Sequence, residues 1–231
     1  MAEKRWTTKR KKEIVDSRVQ STALLYNTLK NNSHKVKAFI SASAIGWYGP
    51  DKKDQLFTEA DTPATDFLGD TCRQWEEALK PITALGIKTA SVRIGIVLSN
   101  EGGALAEFKK PLKYGIASIL GSGKQIISWI HITDLVRLFV FLLERQSLQG
   151  AFNAVAPKPV DNKHLIITLA KKLRGKFYIP IYVPSFILKL LLGEMSIEVL
   201  KSTTVSCQKI HQQGFIFEFP TIEATFNNLL D

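Results

Sequence analysis

Cysteine is scarce: the 231 residues hold two, Cys72 and Cys207, far apart and in no CxxC pair. That rules out a disulfide framework and fits a reducing compartment; no metal site is expected. Long apolar runs are missing as well. The longest near the C-terminal end, FILKLLLGEM, is broken by Lys189 and falls far short of the roughly 20 residues a membrane span needs. The first residues are basic, with no apolar segment behind them of the kind a signal peptide carries, so a cytoplasmic protein with no membrane partner is expected. Of the 14 glycines none falls into G-x-x-G-x-x-G or G-x-G-x-x-G spacing. The bare backbone cradle that brings a helix N-terminus up to a pyrophosphate is therefore not encoded in these residues. With 45% hydrophobic and 23% charged residues, the composition excludes disordered and fibrous classes and suits one good core, or a domain with a small appendage.

Acidic residues are outnumbered, 21 to 31, and the imbalance is concentrated. Lys4, Arg5, Lys9, Arg10, Lys11 and Lys12 face Glu3 alone within the first twelve residues, and so account for half of the net charge of +10. No nucleic-acid module accompanies this run, which also reads as the solvated start of a helix. Nucleic acid is not an expected partner.

The most informative stretch is FISASAIGWYG, from Phe39 to Gly49. Val36, Ala38, Phe39 and Ile40 form a short apolar run, as in a strand buried on both faces, and it passes into Ser41, Ala42 and Ser43. In an open α/β sheet, ligands sit beyond the carboxyl ends of the strands, so hydroxyls and a Gly-rich aromatic turn there are well placed for chemistry. A helix from about Thr7 to Lys30, capped by Thr7 or Thr8, precedes this strand. Helix followed by buried strand is the second half of a βαβ unit, which implies a sheet that begins before this sequence does.

Further on, residues 50–66 read as a polar loop, and Asp66 opens a helix whose stripe is Phe67, Leu68, Cys72, Trp75, Leu79 and Ile82, with Pro81 disturbing its last turn. IKTASVRIGIVLS, 87–99, reads as one strand. A helix spans Leu105 to about Lys113, and Gly121 and Gly123 suit a tight turn. A short strand then leads to a helix capped by Thr133 or Asp134, with Leu135, Leu138, Phe139, Leu142 and Leu143 facing the core. AFNAVAPKPV is another buried strand. Beyond it come a helix to about Leu173, an extended stretch over 177–183, a helix after Pro184 and a last one over 221–230.

SASAIGWYG, DFLGDTCRQWE, RIGIVLSNEGGAL, GSGKQIISWIHITD, FNAVAPKPVDN, VPSFILKLLLGEM and GFIFEFP follow one another in an order that resembles one family. It is the atypical epimerase family of unknown substrate, within the extended short-chain dehydrogenase/reductase superfamily. The resemblance covers nearly the whole chain. It implies an α/β fold: a partial Rossmann-type parallel sheet over 1–160, lacking its first strands and Gly-rich loop. A small, mostly helical substrate-side domain over 182–230 completes it. About 70 to 90 residues of such a fold would precede Met1.

The resemblance also implies NAD(P) as cofactor and hydride transfer to or from a small carbonyl or sugar-like ligand. Ser41, Ala42, Ser43, Arg93, Gly95 and Val97 would border the cofactor, and Trp47, Trp129, His131 and Asp134 the substrate. The superfamily's proton-transfer pair, YxxxK, falls on Leu68 and Cys72, which cannot do that work. Ser43 and Tyr48 are the remaining catalytic candidates. For His131 and Asp134 the alternatives are a packed histidine and a helix cap. Without the Gly loop, little or no dinucleotide binding by this chain is expected. The strand over 36–43, short of one neighbour, is expected to self-associate or to accept a partner's strands. A non-enzymatic binding protein and a truncated gene product are the rival expectations.

Overall fold

The computed structural model describes residues 5–51 and 55–231, so part of the predicted polar loop, 52–54, lies outside the described residues. Helix α1 (Thr8–Asn31) starts where Thr7 Oγ1 accepts from the Arg10 amide. It leads to β1 (Ala38–Ala44) and a short 3₁₀ turn, Ile45–Trp47. The predicted helix after Asp66 divides into α2 (Phe67–Glu77) and α3 (Lys80–Ala84), because Pro81 sits in the first turn of a new helix, where its missing N–H costs nothing.

The span 87–99 is two strands. β2 (Lys88–Ile94) pairs in parallel with β1, whereas β3 (Ile96–Ser99) belongs to a second sheet. The switch is made at Gly95. Its amide donates to Ala154 O and the Ile96 amide to Ser128 O, and a Cβ on residue 95 would stand 2.6 Å from Ser128 O. Only glycine fits that approach. Next come α4 (Gly103–Leu112), β4 (Ile116–Leu120), β5 (Ile126–Ile127), β6 (Trp129–His131) and α5 (Ile132–Glu144). Neither Thr133 nor Asp134 caps α5: His131 does, its Nδ1 accepting from the Thr133 amide at 3.0 Å. Then follow β7 (Gly150–Ala154), β8 (Val160–Asp161), α6 (Asn162–Arg174), β9 (Ile179–Val183), α7 (Ser185–Leu192), α8 (Ser196–Leu200), α9 (Gln208–Gln212) and α10 (Ile222–Leu230).

The main sheet has the order β1-β2-β7, all parallel. Along β2, Thr89, Ser91 and Arg93 alternate with Ala90, Val92 and Ile94. Ala90 and Val92 pack with Leu135, Leu138 and Leu142 of α5, while Thr89 bonds Thr83 at the end of α3, so α5 and α2–α3 cover opposite faces. Each buried leucine of that stripe contributes about 2 kcal/mol. A second core gathers α4, β4, β6, α6 and α10 around Trp129, Leu165 and Phe226.

β1 is not buried on both faces. Phe39 and Ile40 are half-buried, in contrast to the buried β2, because β1 has a strand on one side only among the described residues. Along α1, Ile14 and Thr22 face inward, whereas Leu24 and Leu25 face solvent.

Candidate functional site

Register brings three polar side chains into one row at the carboxyl end of the main sheet: Ser43 on β1 lies beside Arg93 on β2, which lies beside Asn153 on β7. All three are buried, and the 3₁₀ turn after β1 folds Tyr48 back over them. Arg93 is the hub. Its Nε and Nη2 donate to Glu76 Oε1 and Oε2, both at 2.9 Å, a bidentate pair with α2. Nη1 donates at 2.9 Å to the Tyr48 hydroxyl, which donates in turn to Asn153 Oδ1 at 2.7 Å. Ser43 Oγ donates to Glu76 Oε1 at 2.7 Å, and the guanidinium lies 3.7 Å from the centre of the Trp47 ring. Asn153 completes the circuit through its Nδ2, which donates to Ser206 O, and its amide, which donates to Glu59 Oε1.

Burial pushes the Tyr48 phenol up to about 12, despite the opposing pull of Arg93, and the Cys72 thiol likewise to about 12, helped by the Glu76 charge. Burial alone would weaken the Arg93 cation, but its bonds to Glu76 and Tyr48 outweigh this and its pKa is raised. Tyr48 is thus a neutral hydrogen-bond donor at physiological pH.

Ser41 is nearby on β1 but bonds only Ala42 O. Ala42, Gly95 and Val97 are partly exposed around the same strand ends. Trp129, His131 and Asp134 lie elsewhere. Trp129 fills the second core, its Nε1 donating to Lys158 O. His131 stacks on Phe219 with ring centres 3.8 Å apart and bonds Asn228. The buried Asp134 carboxylate accepts from the amides of Glu218 and Phe219, both at 2.9 Å, and pairs with Arg137. These residues fasten the C-terminal FEFP segment to α5. Sequence reasoning passed over Glu76 and Asn153, although each carried a signal. Glu76 stands on the same helical stripe as Leu68 and Cys72, and Asn153 interrupts an apolar strand.

A family model described as "NAD dependent epimerase/dehydratase family" matches residues 1–154, and a domain of unknown function, DUF1731, matches 183–229. The chain belongs to the NAD dependent epimerase/dehydratase family. An epimerase family protein of Staphylococcus aureus is 38% identical over 227 residues, 98% of this chain and 75% of the relative. The fold is also that of a human epimerase family protein (isoform 2) solved with NADPH, with a TM-score of 0.89 and 26% identity over 98% of this chain and 76% of that one. A nucleoside-diphosphate sugar epimerase from Corynebacterium glutamicum gives a TM-score of 0.78 and 28% identity over the whole of this chain and 45% of that one.

The family's dinucleotide does not fit the residues present. The polar groups at the strand ends are sealed in bonds to one another, and no glycine spacing offers a phosphate cradle. Two cavities flank the cluster. One, of about 290 Å³, is lined by Leu56, Val205, Cys207 and His211; the other, of about 360 Å³, by Glu59, Ala151 and Lys209. Both lie near the lower limit of small-molecule pockets.

Proposed function

We propose that this chain is the substrate-side part of an epimerase-type oxidoreductase, acting on a small carbonyl or sugar-like ligand. The division into a sheet domain, 1–160, and a C-terminal domain, 182–230, is part of this reading and is supported by the two family matches. The observation that carries it is the row Ser43, Arg93 and Asn153 at the carboxyl ends of three parallel strands, where ligands of such sheets bind. In this reading Ser43 and Tyr48 are positioning residues. The Tyr48 hydroxyl accepts from the Arg93 guanidinium, the Ser43 hydroxyl steadies its partner Glu76, and the guanidinium lies against the Trp47 ring at the strand ends. NAD(P), when bound, supplies hydride chemistry; the groups that would grip its pyrophosphate are not among these residues. The sugar-like class draws support from the name of the C. glutamicum protein. The two unpaired cysteines support a reducing, cytoplasmic location, and no helix among the described residues is long and apolar enough to cross a membrane.

The test is a tryptophan-fluorescence titration of the purified chain with a nucleoside diphosphate sugar. A saturable change that disappears in Trp47→Phe is expected. No change at millimolar ligand would overturn the substrate-side assignment. A non-catalytic binding protein is the second reading, favoured by the sealed Tyr48 and Ser43 hydroxyls. It shares the titration result and parts from the first by transferring no hydride in an NADPH-absorbance assay after the cofactor half is restored.

A further inference from the structure

From Asn162 to Gly193, through α6, β9 and α7, the sequence holds no Asp or Glu but carries Lys163, Lys171, Lys172, Arg174, Lys176 and Lys189, all exposed. Acids around this stretch are already engaged. Asp161 caps α6, while Glu194, Asp231 and Glu223 pair with Lys11, Lys172 and His164. The same stretch leaves large apolar side chains in solvent. β9 exposes Ile179, Ile181 and Tyr182, then passes through Pro184 into α7, where Phe186, Leu190 and Leu191 are 68, 72 and 61% exposed and only Leu188 is buried. At the far end of α7, the Arg5 guanidinium donates to Leu190 O and Leu191 O. An apolar strip therefore runs between cations at both ends, with Lys171 to Lys176 before β9 and Lys189 and Arg5 at α7. Contiguous exposed apolar surface of this kind marks a contact site.

The strip itself disfavours two kinds of partner. An added strand would need the outer edge of β9. The Ile179 amide donates to Gly115 O and Val183 O accepts from the Gly121 amide, so alternate residues of β9 turn their backbone groups to β4 and Pro180 takes an outward position, where it has no N–H to offer. A second copy would set the same unpaired cations against one another, and like charges brought together across an interface repel. A surface that is negatively charged and also admits apolar side chains satisfies both properties. We propose that β9 and α7 dock on an anionic lipid bilayer. Phe186, Leu190 and Leu191 enter the boundary between headgroups and acyl chains, and Lys171, Lys176 and Lys189 lie against the lipid phosphates. The contact is peripheral, since the 8 residues of α7 are far too few to span. The expectation of no membrane partner rested on the lack of a span and of a signal segment; a surface contact needs neither. The proposal does not depend on the oxidoreductase reading.

The test is flotation of the intact chain with two kinds of vesicle, phosphatidylcholine alone and phosphatidylcholine with about 30% phosphatidylglycerol. The chain is expected to float with the anionic vesicles only, and to be released at about 0.5 M NaCl, where surface charges are screened. Phe186→Glu/Leu190→Glu is expected to weaken vesicle binding at least tenfold, and Lys176→Glu/Lys189→Glu to do the same through charge. All four positions are exposed, so both variants keep the wild-type circular dichroism and melting temperature. No flotation with anionic vesicles, equal flotation with phosphatidylcholine alone, or wild-type binding by both variants would overturn the proposal. So would a dimer in solution that Phe186→Glu/Leu190→Glu dissolves, because the strip would then be covered by a second copy.

Discussion

Arg93 and Glu76 form a bidentate pair with almost no solvent around it, so removing one partner leaves a buried charge with nothing opposite. Glu76→Ala is expected to lower stability by about 3–5 kcal/mol in urea unfolding, far more than loss of the exposed Arg73–Glu77 pair, which is worth under about 1 kcal/mol. Tyr48 and Cys72 make stability depend on alkaline pH. Their folded pKa values, about 12, exceed the ordinary 10.0 and 9.0, so between roughly pH 9 and 12 the unfolded chain sheds protons that the folded chain keeps. Stability is therefore full below pH 9 and falls as pH rises. Tyr48→Phe is expected to flatten the pH 10–12 part of the melting-temperature profile; an unchanged slope would mean that the phenol is not buried as described. Ser43, Tyr48 and Arg93 were visible in the sequence as polar groups at strand ends. Their mutual bonding was not, because it depends on a strand register and on an acid from a helix 33 residues after Ser43.

At the scale of elements, two joints carry the architecture. Gly95 lets the chain leave β7 and join β6 with no intervening loop, and a methyl there would press on Ser128 O and Val155. Gly95→Ala is expected to cost about 3 kcal/mol or more, read as a drop in unfolding midpoint. The sequence showed this span as one strand because both halves are apolar and β-branched; nothing local reveals a change of partner. The second joint is Asp134. Asp134→Ala frees the amides of Glu218 and Phe219 and leaves Arg137 only its bond to Glu218, so limited proteolysis is expected to cut near 214–220 well before wild type does. The H-x-x-D spacing was legible and its work was not, since that work is done on a segment more than 80 residues away. β4 escaped notice for a related reason, as its partner β9 is a distant strand with exposed side chains.

For the whole molecule, the family and the α/β class were readable in the order of the segments from SASAIGWYG to GFIFEFP, and the comparisons bear both out. Long helices such as α1, α6 and α10 were placed within a residue or two, because caps and apolar spacing are local properties. What the sequence could not show is how completely the strand-end polar groups Ser43, Tyr48, Arg93 and Asn153 satisfy one another. The proposed reading pairs a substrate side at the strand ends with little or no dinucleotide binding by these residues. Calorimetric titration of NADPH into the purified 231-residue chain addresses that combination most directly. The expected result is no saturable heat up to about 1 mM; one-to-one binding with a micromolar Kd, roughly −8 kcal/mol, would contradict it.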